Sequence, residues 1–83
     1  MLIDYTQEPA QFNGRSYDQR HGGAFDRGAA DSYYNRPRDP HMYPNGTYNP
    51  PRIGISLMSV EEIDAYHAGY DYNDALRAKK EWY

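Results

Sequence analysis

The chain has 83 residues, no cysteine and a formal net charge of -3, with a mean hydropathy of -1.09. A chain this short buries only about 60% of the surface it exposes when unfolded, so one small domain is the limit, and without cysteine it has no disulfide framework and no thiolate for a structural zinc. No run approaches the ~18 apolar residues of a membrane span, and Met1-Leu2-Ile3-Asp4 lacks a basic stretch and an apolar core, so a cytoplasmic protein that does not meet the membrane is expected.

Seven glycines and six prolines pull the composition towards disorder, while ten tyrosines pull it back. Part of the chain therefore folds, with tyrosine as much of its core. The charges are segregated along the sequence. Residues 15–52 carry six arginines against four aspartates, whereas residues 60–75 carry Glu61, Glu62, Asp64, Asp71 and Asp74 with no base. Arg77, Lys79 and Lys80 then reverse the sign. One basic and one acidic side are expected.

Residues 1–22 contain Pro9, Gly14 and Gly22 and sustain no period of 2 or 3.6 residues, so they read as a flexible N-terminal arm. Met1-Leu2-Ile3 is available as a short strand or apolar anchor, and Phe12 or Tyr17 as a pin to the body. The domain proper runs from 23 to 83. From Gly23 to Tyr34 the pattern turns helical: Phe25, Gly28, Ala29, Ser32 and Tyr33 share a face, with Asp26, Arg27 and Asp31 mostly elsewhere. Pro37 is expected to end this helix. Gly28 costs about 1 kcal/mol relative to alanine in mid-helix, which marks a close backbone approach.

Residues 35–55 hold five of the six prolines. Tyr43-Pro44-Asn45-Gly46-Thr47-Tyr48 reads as a turn, with Pro44 at the first corner, Gly46 at positive φ and the two tyrosines meeting across it. Arg52-Ile53-Gly54-Ile55-Ser56 offers one short strand, and a short hairpin is compatible with the flanking prolines.

The second helix has the strongest local signal. Ser59-Val60-Glu61-Glu62 is a capping box, and Met58 with Ile63 makes a hydrophobic staple. Acids crowd the first turn and bases follow near Lys79, both favourable with the helix dipole, so the helix is expected from Val60 to Lys79. Its apolar positions form two stripes, Ile63-Tyr66-Tyr70 and Ala65-Gly69-Tyr72-Leu76, wider than one small neighbouring helix needs. Ala24-Phe25-Asp26-Arg27-Gly28 and Ala65-Tyr66-His67-Ala68-Gly69 share the order alanine, aromatic, two variable residues, glycine, which suits two helices crossing at small residues.

Chemistry-bearing groupings are few. His21, His41 and His67 are scattered, with no i, i+4 pair for a metal, and neither a phosphate loop nor a serine, histidine and acid grouping emerges. A short chain with little aliphatic content has small scope for a desolvated catalytic pocket. The sequence thus reads as a protein that is not an enzyme and holds no cofactor or metal. What remains is a mixture of Arg27, Tyr33, Tyr34, Arg36, Arg38, His41, Tyr43, Tyr48 and Arg52. Such a mixture suits a protein interface, a single-stranded nucleic-acid surface, or tyrosines packed over the helices with arginines paired to Asp26, Asp31 and Asp39. His41 is suited either to orienting the loop by a hydrogen bond or to a partner contact.

Through Phe25-Asp26-Arg27-Gly28-Ala29-Ala30-Asp31-Ser32-Tyr33-Tyr34, Pro40-His41-Met42-Tyr43-Pro44 and Ala65-Tyr66-His67-Ala68-Gly69-Tyr70, the chain resembles small proteins encoded by phages and prophages over about residues 22–83. In layout it is also distantly similar to ribosome modulation factor. The first resemblance implies an accessory gene directed at a host system, including host defence; the second implies a ribosome- or RNA-associated factor.

The expectation is a mainly α single domain: two packed helices, a Tyr/Pro-rich connecting loop that allows a short hairpin, and the N-terminal arm. Its expected function is binding and modulating or inhibiting a host protein complex in the cytoplasm. The expected partner-binding residues are Tyr33, Tyr34, Arg36, Arg38, His41, Tyr43, Tyr48 and Arg52. The alternatives are an RNA- or ribosome-associated factor on the same surface and a virion component that forms homo-oligomers.

Overall fold

A computed structural model describes residues 10–76. In chain order the elements are β1 (Ala10–Phe12), β2 (Arg15–Tyr17), α1 (Ala24–Tyr33), β3 (His41–Met42), β4 (Ile53–Gly54) and α2 (Val60–Leu76), with a 3₁₀ turn at Ile55–Leu57 before α2. β1 pairs antiparallel with β2, and β3 with β4, in two separate two-stranded sheets.

The two helices cross where each presents a glycine. A Cβ on Gly28 would lie 1.9 Å from the Tyr66 carbonyl oxygen, and one on Gly69 would lie 2.0 Å from that of Phe25. The contact is reciprocal: each glycine lies against the carbonyl of the aromatic residue three places before the other. The repeated alanine–aromatic–x–x–glycine order therefore marks the crossing, and any side chain there would hold the backbones apart.

Around this crossing the wide apolar surface of α2 divides between two neighbours. Tyr66, with Ile63 and Tyr70 beside it, packs on Ala24, Met42, Ile53 and Met58, beneath the connecting loop. Ala65, Ala68 and Tyr72 pack on Phe25 with Phe12 and Tyr17. Leu76, at the end of the second stripe, remains 60% exposed.

The segment expected to be a structureless arm is, from residue 10, a hairpin. Asn13 and Gly14 take φ of 52° and 75°, the two-residue turn whose twist matches antiparallel strands. Phe12 meets Tyr72 edge-on at 5.8 Å, and Tyr17 stacks on Phe25 at 5.1 Å. The aromatic pins thus hold a sheet, which a period-two pattern this short does not reveal. Met1-Leu2-Ile3 and the end of the second helix near Lys79 lie outside the described residues.

Helix α1 stops before Pro37 takes effect. Asn35 adopts φ 60°, and the Asn35 and Arg36 amides donate to the Ser32 and Asp31 carbonyls at 3.0 and 2.8 Å, a Schellman ending. The buried face of α1 is also broader than its apolar pattern: Arg27 and Asp31 lie inside, at 5% and 3% exposure, beside Gly28 and Ser32. Tyr33, expected on that face, is 37% exposed. At α2 the capping box forms in both directions, with the Glu62 amide donating to Ser59 Oγ at 3.1 Å and the Ser59 amide to Glu62 Oε1 at 2.8 Å.

The connecting loop turns as its residues require. The Gly46 amide donates to the Tyr43 carbonyl at 3.0 Å, Gly46 has φ 98°, and the Tyr43 and Tyr48 rings meet at 5.6 Å. No helix among the described residues is long and apolar enough to cross a membrane.

Candidate binding site

Burying Arg27 and Asp31 on one helix commits the fold to a polar network, because a buried charge is tolerated only with hydrogen-bond partners. Asp31 Oδ2 accepts a hydrogen bond from the Tyr66 hydroxyl, and Oδ1 accepts one from Arg36 Nη1 at 3.3 Å. The Tyr66 oxygen in turn accepts the Asp39 amide at 3.0 Å. Burial, followed by the bond to the Asp31 carboxylate, raises the Tyr66 pKa above its ordinary value of 10.0, since both favour the neutral phenol. Burial acts against the charge of Arg36, but hydrogen bonds to Asp31 and Tyr48 outweigh it and leave its pKa raised.

His41, at the start of β3, joins this network to Arg27. Arginine can only donate, so the 3.1 Å bond from Arg27 Nε to His41 Nε2 requires Nε2 to be unprotonated. The proton is therefore on Nδ1, which donates to the Asp39 carbonyl oxygen at 2.7 Å. The 3.9 Å approach of Nδ1 to Asp31 is then a contact of a neutral ring and no ion pair. Both ring nitrogens are hydrogen-bonded inside the protein, and each Asp31 oxygen accepts a hydrogen bond. His41 thus orients the loop by hydrogen bonding.

These groups line a cleft of about 360 Å³ whose walls include Arg27, Arg36, Pro37, His41, Tyr43, Tyr48 and Arg52. Arg27 Cζ lies 5.7 and 5.2 Å from the Tyr43 and Tyr48 ring centroids, and Arg52 Nη2 pairs with Asp39 Oδ2 at 3.0 Å. Five of the expected contact residues, Arg36, His41, Tyr43, Tyr48 and Arg52, thus converge.

The other three stand apart from it. Tyr33 and Tyr34 meet edge-on at 5.0 Å and line a separate groove of about 530 Å³ with Phe25, Ala29, Tyr72 and Leu76. Arg36 also covers the Tyr34 ring at 4.7 Å. Arg38 lies against α2, with its guanidinium 4.3 Å from the Tyr70 ring centroid, paired with Asp71 and 3.0 Å from His67 Nδ1.

No protein family, curated protein or solved structure matches the chain. The site therefore has to be read from its own chemistry. Among the described residues no cluster of three or more histidine, aspartate or glutamate side chains is placed to hold a metal. What the cleft presents is guanidinium, phenol and aromatic ring. Arg27, Asp31 and Asp39 are the site residues that apolar periodicity does not single out. Their signal was the i, i+4 spacing of Arg27 and Asp31 beside the small residues Gly28 and Ser32, which places two charged residues at the edge of the packed face.

Proposed function

We propose that the chain is a small, non-enzymatic phage or prophage accessory protein that binds a host protein complex in the cytoplasm and modulates or inhibits it. The observation that carries the protein-binding part is the pairing of the arginines. Arg36 is held by Asp31, Arg38 by Asp71 and Arg52 by Asp39. A surface that tracks a nucleic-acid backbone needs free cations for phosphates. Here the carboxylates consume that charge and leave exposed tyrosine rings and arginine planes, the side chains enriched at the centres of protein interfaces. Tyr33, Tyr34 and Tyr48 are 37%, 38% and 66% exposed and are the contact rings of this reading. The phage setting rests on the sequence resemblance through residues 25–34, 40–44 and 65–70.

The test is a tagged pull-down from bacterial lysate, divided between nuclease-treated and untreated samples and read by mass spectrometry. One stoichiometric protein complex that survives nuclease, and that a Tyr33→Ala, Tyr34→Ala double variant no longer retains, is the expected result. Ribosomal particles or RNA lost on treatment would replace this reading with the RNA-associated one. Concentration-dependent size-exclusion behaviour with no captured partner would replace it with self-association.

A further inference from the structure

Among the described residues, the charge of Arg27 has no counter-ion. The residue is 5% exposed, yet among the described residues its guanidinium makes one hydrogen bond, through Nε to His41, and pairs with no carboxylate. The Tyr43 and Tyr48 rings offset part of the cost of burying this cation. Thr47 Oγ1 is the only side-chain polar atom among the described residues that is both sealed and unbonded. The terminal nitrogens of Arg27 are therefore not sealed, and Arg27 is part of the cleft wall.

The remaining charges of the cleft balance. Arg36 and Arg52 are matched by Asp31 and Asp39, and His41 is neutral in the tautomer its partners impose. Among the described residues Arg27 is the one uncompensated charge of the cleft wall. A guanidinium fork matches the two oxygens of a carboxylate, and one excess positive charge matches one negative charge.

We propose that the cleft is an anion site for a single carboxylate group, bound by the terminal nitrogens of Arg27 beside the Tyr43 and Tyr48 rings, with Arg52 at its rim. The site does not depend on which partner the protein binds. A free small carboxylic acid and the acidic side chain of a peptide carry the same group.

The test is a ¹H–¹⁵N NMR titration of the full chain that follows the Arg27 Nε–H signal and the Tyr43 and Tyr48 amides. Sodium acetate, sodium sulfate and a capped peptide with one glutamate are added, with sodium chloride at equal ionic strength as the reference. Acetate should give saturable shifts with a dissociation constant of roughly millimolar order. Tighter binding of the peptide assigns a side-chain source, and tighter binding of acetate a free acid. Arg27→Gln should abolish the saturable shifts at Tyr43 and Tyr48. Should that variant unfold, the exposed variants Arg52→Gln and Tyr48→Ala carry the test. With helix content unchanged by circular dichroism, Arg52→Gln should weaken acetate about tenfold and Tyr48→Ala should weaken it measurably. Acetate shifts no larger than those of chloride, sulfate bound more tightly than acetate, or an unchanged constant in both rim variants would overturn the proposal.

Discussion

Replacing Gly28 by alanine sets two opposing magnitudes against each other. Alanine is the better helix former by about 1 kcal/mol, so a solvent-facing Gly28 would make the substitution stabilising. At the crossing, however, the new methyl would lie 1.9 Å from the Tyr66 carbonyl oxygen, where ordinary contact begins at 3.4 Å, so the backbones must part by roughly 1.5 Å. The obstacle is backbone, which cannot rotate away as a side-chain tip can, and parting the helices also opens the reciprocal contact at Gly69. Overpacking of this kind costs about 3 kcal/mol or more, leaving a net loss of roughly 2 kcal/mol after the propensity gain. A chain of this size has a total stability of roughly 4–12 kcal/mol. Urea unfolding followed by far-ultraviolet circular dichroism measures the difference. The matched control is Gly14→Ala, where nothing lies within 4 Å of the added Cβ and only the positive φ is penalised, at about 1 kcal/mol. A Gly28→Ala midpoint at or above wild type would refute the crossing.

Tyr66→Phe removes the hydroxyl shared by Asp31 and the Asp39 amide and should cost about 2–3 kcal/mol, because the buried carboxylate loses a donor. Since folding raises the Tyr66 pKa, its contribution is fully present below pH 10.0 and falls above that, by about 1.4 kcal/mol per pH unit. Melting temperatures measured from about pH 9 to about pH 11 should therefore decline less steeply in Tyr66→Phe than in wild type, and equal slopes would count against the buried phenol. Ser59→Ala should destabilise by about 1 kcal/mol through loss of the N-cap acceptor, read by thermal denaturation. Thr47→Val replaces a sealed hydroxyl that has no hydrogen-bond partner, and it should raise stability by about 1 kcal/mol in the same assay.

The elements readable in the sequence are those whose causes are local. The start of α2 is written in Ser59, Glu62, Met58 and Ile63, because a cap and a staple are formed by neighbours in the chain. The turn over Tyr43–Tyr48 follows from Pro44 and Gly46 in the same way. The Gly28–Gly69 crossing is legible for a different reason: glycine in mid-helix is costly, so its presence twice in the same aromatic frame implies something that needs the space. The Asn13-Gly14 turn is also present in the sequence, but three-residue strands are too short to show a period. That hairpin is held by Phe12 on Tyr72 and Tyr17 on Phe25, contacts that exist only once the helices have crossed.

The candidate site divides along the same line. The sequence places four of its seven arginines and four of its ten tyrosines between residues 25 and 52, and so names most of the cleft. Which arginine is spent and which is free depends on long-range pairings: Arg38 with Asp71, Arg36 with Asp31, Arg52 with Asp39, and Arg27 with the neutral His41. Apolar periodicity places Arg27 and Asp31 outside, because it assigns charges to water. The tertiary structure places them inside, since Tyr66 and Arg36 bond the Asp31 carboxylate and His41 accepts from Arg27 Nε, with Tyr66 and His41 held in turn by the Asp39 backbone. Local sequence determines where helices begin and chains turn, whereas the burial of a charge depends on partners that only the folded arrangement brings within hydrogen-bonding distance.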